Sequence, residues 1–346
     1  SVFDGGLDID LLCMTLSTLI PDANFVSGKT CIIFDEIQEC PRARTALKFF
    51  KTDGRYDVIG TGSLLGVSGY HTYASSEAPI PVGYETIIDM YPMDFEEWLW
   101  ANGIKKMTID YLHRCLEDKT PVQEAIHERM RQLLLQYCIV GGMPRAVSVF
   151  METHNMQNVL RMQQAIIEEY KVDMLKYAPQ ADKSRIRECF ESIPRQLSKE
   201  NKKFAYATVR SNGRGRDYQG SLQWIEDAGI IRRCYNLSAP ELPLDGNSIP
   251  DQFKVYMADT GLFISMLEQG TAADILQGNL YGYKGAIFEN LVADIFGKMN
   301  RKLYYFRKDS GLEIDFVTRY EGKCTLVEVK ASNGNIKSAK TILSCP

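Results

Sequence analysis

The segment CIIFDEIQ, residues 31–38, places four apolar residues directly before the acidic pair Asp35 and Glu36. Such a run has the length of a strand buried in a parallel sheet. A second apolar run, DVIGTGS, begins at Asp57, and the residues between the two runs have helical spacing. Strand, helix and strand in this order predict a parallel α/β sheet, and ligands bind at the carboxyl edge of such a sheet.

The acidic pair has the composition of a Walker B element. Asp35 would help to hold Mg²⁺ through its water shell, and Glu36 would polarise the water that attacks a nucleotide phosphate. After the second strand, Thr61 and Ser63 would offer hydroxyl groups as sensors of the γ-phosphate. Any buried strand that ends in acidic residues has the same pattern, so these roles are hypotheses that the rest of the chain must support.

The tetrapeptide SGKT at residues 27–30 looks like the end of a phosphate-binding P-loop, but its context differs. A P-loop has a glycine five residues before its Gly-Lys pair, and Ala23 stands at that position. It also needs a helix after the lysine, so that backbone amides point at the phosphate. Here the predicted acidic strand follows instead. We therefore interpret SGKT as an exposed turn before a strand.

Composition excludes several classes of protein. The 346-residue chain is 45% hydrophobic, which is enough for two or three domains, and its net charge of −4 gives no bulk attraction to nucleic acid. We find no run of 18 apolar residues and no basic, apolar leader, so we expect neither a membrane span nor a signal peptide. Nine scattered cysteines indicate reduced thiols in the cytoplasm, and four histidines without an HExxH motif argue against a zinc hydrolase.

The chain divides further by composition. After a P-loop-type α/β core at 1–105, residues 106–180 carry helical spacing and predict an all-helical lid. Helices followed by a short strand in residues 181–240 predict a winged helix. Residues 241–346 combine a helix with three strand-like pieces and predict a C-terminal α/β domain.

The predicted winged helix contains a basic linker with interleaved aromatic residues, which is a candidate contact for DNA phosphates. The candidate residues are Lys199, Lys202, Lys203, Arg210, Arg214 and Arg216. A solvated loop, or a surface that packs on the α/β core, explains the same charges. Arg214 and Arg216 also suit arginine sensors of a nucleotide.

An ordered set of motifs resembles one family of proteins. In chain order the motifs are IIFDEIQECPRA, GTGSLLG, YPMDFEEWL, YCIVGGMPRAV, SIPRQLSKENKKF, FKVYMADTGL, GLEIDFV and LVEVKAS. Together they resemble bacterial and archaeal AAA-like ATPases that carry a C-terminal domain of unknown function related to PD-(D/E)xK nucleases. Each motif alone is weak, but the ordered set is specific and covers nearly the whole chain.

The resemblance implies a protein that uses ATP and Mg²⁺. Members of this family begin with a strand and a GxxGxGK[ST]-like loop ahead of the position of Ser1, and they continue for a helix and a strand past Pro346. We therefore expect the present chain to be a fragment that lacks Walker A and the end of the nuclease-like domain. In such a fragment, Asp35 and Glu36 would need a phosphate cradle supplied from elsewhere.

The C-terminal motifs match the PD-(D/E)xK pattern residue by residue. Glu328 and Lys330 stand two apart in VEVK and would project from one face of a strand. Asp315 lies on the adjacent strand, and Glu289 lies on the preceding helix. The three carboxylates would hold Mg²⁺, while Lys330 would activate a water or stabilise the phosphate. An ordinary hairpin with solvated ion pairs explains the same residues.

Three functions remain open from the sequence. The first is a nucleotide-dependent machine that joins an ATPase core, a DNA-binding winged helix and a nuclease-like module. The second is a Mg²⁺-dependent nuclease, and the third is a non-catalytic DNA-binding or scaffolding protein. The sequence leaves the oligomeric state and the nucleic-acid substrate open.

Overall fold

The computed structural model describes residues 2–63, 83–178, 180–199, 202–277, 279, 283–308 and 310–330. The chain forms two units, Ser1–Met90 and Tyr91–Pro346, and their boundary lies ahead of the predicted one at residue 105. Both units combine helices with strands, so the predicted α/β class is confirmed. None of the described helices is long and apolar enough to cross a membrane.

The described residues of the first unit form two helices and a two-stranded sheet. Its elements are helix α1 (Ile9–Leu19), strand β1 (Cys31–Phe34), the 3₁₀ turn Ile37–Glu39, helix α2 (Pro41–Asp53) and strand β2 (Asp57–Gly60). The strands pair in parallel, as the sequence predicts, and Phe34 lies opposite Gly60. Ile32 is buried with side chains of the helices, whereas Ile33 and Ile59 on the other face are 63% and 51% exposed. One face of the sheet is therefore packed against the helices, and the other face is largely exposed.

The second unit begins with a group of helices over the predicted lid. These helices are α3 (Phe95–Ala101), α4 (Lys106–Glu117), α5 (Glu124–Val140), α6 (Pro144–Thr153) and α7 (Met156–Tyr177). A capping box starts α3: the Asp94 carboxylate accepts from the Glu97 N–H, and the Glu97 carboxylate accepts from the Asp94 N–H, both at 2.8 Å. Helix α5 ends where Gly141 adopts a φ of 69°. The helical character is confirmed, and the role of a lid stays a prediction.

The rest of the second unit is built around one mixed sheet. Its helices are α8 (Lys183–Leu197), α9 (Tyr206–Val209), α10 (Gly215–Asp227), α11 (Thr260–Ser265), α12 (Thr271–Leu276) and α13 (Lys284–Lys298). Its strands are β3 (Ile231–Leu237), β4 (Ser248–Met257), β5 (Leu303–Arg307), β6 (Glu313–Tyr320) and β7 (Lys323–Val327). Their order is β4-β3-β5-β6-β7, and only the β3–β5 pair among them is parallel.

This sheet crosses the predicted boundary at residue 240. Strands β3 and β4 form the hairpin that a winged helix would use as its wing, but β3 also pairs with β5 of the predicted C-terminal domain. The hairpin is thus an integral part of a larger sheet. The winged helix and the nuclease-like domain stay predictions.

A buried aspartate joins the helical group to the segment after β4. Asp259 is 2% exposed and caps α11 by accepting from the Leu262 N–H at 2.8 Å. Its other oxygen accepts from the Gly142 N–H at 2.7 Å. A side chain at Gly142 would not fit, because its Cβ would lie 2.0 Å from the carbonyl oxygen of Met93. These contacts explain why the turn after α5 contains two glycines.

A buried ion pair lies on α13. Lys298 pairs with Asp294 at 3.0 Å and donates to the Tyr137 hydroxyl at 2.8 Å and to the Met93 carbonyl at 3.0 Å. Burial raises the pKa of Asp294 to about 7, although the charge of Lys298 acts in the opposite direction. The pair ties α13 to the helical group at the start of this unit.

Candidate functional sites

The acidic edge of the first unit consists of Asp35, Glu36 and Thr61. The Thr61 hydroxyl donates to Asp35 Oδ1 at 2.5 Å, and both residues are exposed. Two backbone hydrogen bonds hold the strand ends in register: the Thr61 N–H donates to the Phe34 carbonyl, and the Ile37 N–H donates to the Thr61 carbonyl, each at 2.9 Å. The parallel pairing of β1 and β2 thus brings two of the predicted site residues into direct contact.

Glu36 has a fixed and unusual conformation. Its backbone is left-handed, with φ 50° and ψ 51°, which is uncommon outside glycine and costs about 1 kcal/mol or more. The Gln38 side-chain amide donates to the Glu36 carboxylate. Gln38 is only 9% exposed, and its Oε1 has no hydrogen-bond partner among the described residues. A buried amide therefore orients the predicted water-polarising group, a role for Gln38 that the sequence interpretation missed.

The acidic edge fits the metal side of a nucleotide site. Two exposed carboxylates are suitable partners for Mg²⁺ and its water shell, since hard cations prefer oxygen ligands. Thr61 supplies a hydroxyl at the same edge, and Ser63 lies two residues further on and is partly buried.

The SGKT segment does not supply the phosphate cradle. The Gly28 N–H donates to the Arg55 carbonyl at 2.8 Å, and the N–H groups of Lys29 and Thr30 both donate to the Val26 carbonyl at 3.1 Å. These three backbone amides, which a P-loop would point at phosphate, therefore donate to carbonyl groups of the protein. The structure confirms the interpretation of SGKT as a turn before β1.

The second site is a carboxylate cluster centred on Glu289 of α13. Glu289 is 5% exposed, and its Oε1 accepts from the Lys202 ammonium at 2.5 Å. Its Oε2 accepts from the Tyr256 hydroxyl at 3.0 Å and lies 3.7 Å from the Lys254 ammonium. Burial would raise the pKa of Glu289, but the charges of Lys254 and Lys202 hold it below its ordinary value. Glu289 is thus a charged carboxylate with internal partners on both oxygens.

Lys254 is the deepest cation of the cluster. Its side chain is 1% exposed and forms an ion pair with Glu313 at 2.7 Å, in addition to its approach to Glu289. The ammonium also lies 4.8 Å from the centre of the Tyr305 ring. Burial alone would lower the pKa of Lys254, but Glu289 and Glu313 raise it, so the amine stays charged. Sequence interpretation missed Lys254, although its spacing of two from Tyr256 places both on one face of β4.

Of the other predicted residues of this site, Asp315 lies within the sheet, and Glu328 and Lys330 follow its strand β7. Asp315 is on β6, and its Oδ2 accepts from the Val329 N–H at 2.8 Å. Burial and the charge of Glu289 raise the pKa of Asp315. Lys330 pairs with Glu328 at 2.7 Å; burial would lower its pKa, but the bond to Glu328 and the charge of Asp315 raise it. Strand β7 ends at Val327, so Glu328 and Lys330 follow the strand instead of lying within it as predicted.

The three predicted metal ligands do not form a ligand set. Within the described part of the chain, no group of three or more histidine, cysteine, aspartate or glutamate side chains is arranged to hold a metal ion. Each carboxylate contacts a donor of the protein: Lys202 and Tyr256 contact Glu289, Lys330 contacts Glu328, and the Val329 N–H contacts Asp315. The structure instead places the carboxylates of Glu289 and Glu328 beside the ammonium groups of lysines.

The basic segment divides into two parts. Lys202 is drawn into the carboxylate cluster, with a side chain that is 14% exposed. Lys203 is partly buried, whereas Arg210 and Arg216 are 72% and 73% exposed and Arg214 is exposed at the start of α10. Three arginines therefore lie at the surface, and DNA contact through them stays a prediction.

Three family models match successive segments of the chain. Residues 8–99 match an AAA domain, residues 131–273 match a domain of unknown function (DUF8612), and residues 284–346 match another domain of unknown function (DUF4143). The first match contains the acidic edge and supports an AAA-like P-loop ATPase. No curated protein matches the chain.

One solved structure is similar to the chain. It is the Walker-type ATPase PABY2304 of Pyrococcus abyssi, at 14% identity and a TM-score of 0.38, with 75% of this chain and 68% of that chain covered.

Proposed function

We propose that the protein hydrolyses ATP with Mg²⁺, and that Asp35 and Glu36 form its acidic pair. The AAA-domain match over residues 8–99 supports this function. The observation that carries it is the contact between Thr61 and Asp35 at the carboxyl ends of two parallel strands. This is the edge at which ligands bind in α/β sheets.

Each residue of the acidic edge has a role in this proposal. Mg²⁺ would neutralise the negative charge that develops on the phosphates. Asp35 would bind the water shell of the metal, and Thr61 holds the Asp35 carboxylate in place. Glu36 accepts a proton from the attacking water or orients that water, and Gln38 fixes the direction of the Glu36 carboxylate.

The test is steady-state ATP hydrolysis by the full-length protein and its Glu36→Gln variant. We expect kcat to fall by about 10²- to 10⁴-fold, because the amide cannot accept a proton, while KM changes little. Glu39→Gln is the matched control, since Glu39 is an exposed glutamate in the same turn. Equal kcat values for wild type and Glu36→Gln would show that Glu36 is not the catalytic base.

The carboxylate cluster favours a second candidate, a Mg²⁺-dependent nuclease. Its support is the hydrogen bond from the Val329 N–H to Asp315, which brings Asp315 beside the segment that carries the Glu328–Lys330 ion pair of the PD-(D/E)xK pattern. The test is cleavage of DNA and of RNA with Mg²⁺ or Mn²⁺ by wild type and by Asp315→Ala. If the two cleave equally, or if neither cleaves, the cluster is not a nuclease site and its role is structural.

A further inference from the structure

Helix α10 (Gly215–Asp227) has a buried face and an exposed polar face. Its buried residues are Tyr218, Ser221, Leu222, Trp224 and Ile225. Tyr218 ties this face to α8, because its hydroxyl donates to Glu188 at 2.6 Å. The exposed residues on the opposite side recur at intervals of three and four, so they share one side of the helix. They are Arg216, Gln219, Gly220 and Gln223.

The exposed face contains side chains of the kind that read base edges in duplex DNA. Glutamine pairs with adenine and arginine pairs with guanine in the major groove, which is wide enough to admit an α-helix. A Cβ built at Gly220 meets no atom within 4 Å, so the helix surface is low and open at this position. Gln223 is less suited to base contact, because its amide nitrogen and oxygen both have partners within the protein. Arg216 and Gln219 are therefore the candidates for base contact.

Positive charge surrounds the start of this face. The Gly213 N–H donates to the Arg210 carbonyl at 2.8 Å, which closes a turn just before Arg214 and the first residue of α10. Arg214 is exposed, and the side chains of Arg210 and Arg216 are 72% and 73% exposed. Arg210 and Arg216 each lie 3.9 Å from a carboxylate. Exposed ion pairs of this kind are weak, so these guanidinium groups are free to turn toward phosphate.

We propose that α10 enters the major groove of double-stranded DNA. Arg216 and Gln219 then face the base edges. Arg210 and Arg214 contact phosphates, whose negative charge is complementary to this end of the helix. Lys202 takes no part, since its ammonium is held in the carboxylate cluster. The proposal concerns α10 and holds whether or not the acidic edge hydrolyses ATP.

The test is binding of the full chain to a fluorescein-labelled DNA duplex of mixed sequence, followed by fluorescence anisotropy at several salt concentrations. We expect Arg210→Gln and Arg214→Gln each to weaken binding. Each should also reduce the slope of log Kd against log salt concentration by about one, because one phosphate contact is lost. Arg129→Gln is the matched control, since Arg129 is an exposed arginine on α5, and it should bind like wild type.

Base contact is tested separately, by selecting bound sequences from a library of random duplexes. Arg216→Ala and Gln219→Ala should each relax the preference at one base-pair position by about 5- to 150-fold. Gln219→Ala removes no charge, so it should leave the salt dependence unchanged. If both variants select the same sequences as wild type with the same preference, α10 does not read the bases and the proposal is wrong.

Gly220→Glu separates loss of binding from loss of folding. Glutamate has a higher helix propensity than glycine and the position is open, so this variant should be at least as stable to urea as wild type. Its carboxylate would face the phosphates and should weaken duplex binding by about tenfold or more.

Three results would overturn the proposal: a wild-type chain that does not bind the duplex, Arg210→Gln and Arg214→Gln variants that bind like Arg129→Gln, or a Gly220→Glu variant that binds like wild type. Tighter binding to single-stranded DNA or to duplex RNA would also overturn it, because neither offers a major groove that side chains can read.

Discussion

The acidic edge and the carboxylate cluster contain the same type of side chain in opposite environments. Glu36 lies at the surface, and its carboxylate is held by the neutral amide of Gln38. Glu289 is buried, and its nearest partner is the ammonium of Lys202. A neutral partner orients a carboxylate and leaves its charge available to a ligand, whereas a cationic partner cancels that charge inside the fold. The first arrangement leaves the carboxylate able to act on a ligand, and the second stabilises the folded structure.

The largest expected effect comes from making the same substitution, glutamate to glutamine, at each of the two sites in turn. Glu289→Gln should lower the free energy of unfolding by about 3–5 kcal/mol, because it removes the counter-charge of the largely buried Lys202 and leaves the buried Lys254 with Glu313 alone. Glu36→Gln should change it by no more than about 0.5 kcal/mol, since its side chain is exposed. The first value follows from urea unfolding with tryptophan fluorescence, because all three tryptophans lie in the second unit. The change for Glu36→Gln is measured by circular dichroism.

The matched control for the buried site is Glu124→Gln, which changes an exposed glutamate of the same unit. It should unfold at the urea concentration of wild type. If Glu289→Gln behaved like this control, the lysines of the cluster would not depend on Glu289, and the contrast between the two sites would fail.

A smaller effect concerns pH and Asp294. Because burial raises the pKa of Asp294 from 3.8 to about 7, the folded state binds a proton that the unfolded state releases between these values. The contribution of Asp294 to stability therefore falls as pH rises through this window, by up to about 1.4 kcal/mol per pH unit. Asp294→Asn should remove this part of the pH dependence. Urea midpoints at pH 5 and pH 7.5 for both proteins measure it, and an identical pH dependence would show that Asp294 does not titrate as inferred.

The smallest expected effect tests whether the SGKT segment belongs to the nucleotide site. Lys29→Ala should leave the KM for ATP of the full-length protein within about twofold, because the amides of SGKT are used in a turn and its lysine has no phosphate to contact. A large rise in KM would show that SGKT contacts the nucleotide and acts together with the acidic edge.

The contrast also shows what a sequence can predict. The parallel pairing of β1 and β2 follows from the order of strand, helix and strand in the sequence, and the structure has it. Lys254 was missed because a lysine in a strand usually faces solvent. Its burial depends on glutamates supplied by α13 and β6, which lie far along the chain. Contacts of this kind leave no local signal.

The orientation of Glu36 was missed for a related reason. The acidic pair is visible in the sequence, but the left-handed backbone and the bond from Gln38 arise only when the chain turns from β1 into the 3₁₀ segment. The position of Gln38, two residues after Glu36, was the available hint. It carries little information without knowledge that Gln38 is buried.

The hydrogen bonds around Asp259 and Lys298 determine where the polypeptide can be truncated for recombinant expression. Asp259 reaches Gly142 across 117 residues, and Lys298 reaches Met93 across 205 residues. Fragments that end at residue 180 or residue 240 would separate these partners and leave buried polar groups unpaired. A fragment that begins at Tyr91 keeps every one of these bonds. The predicted lid and the later domains are therefore to be produced as one piece.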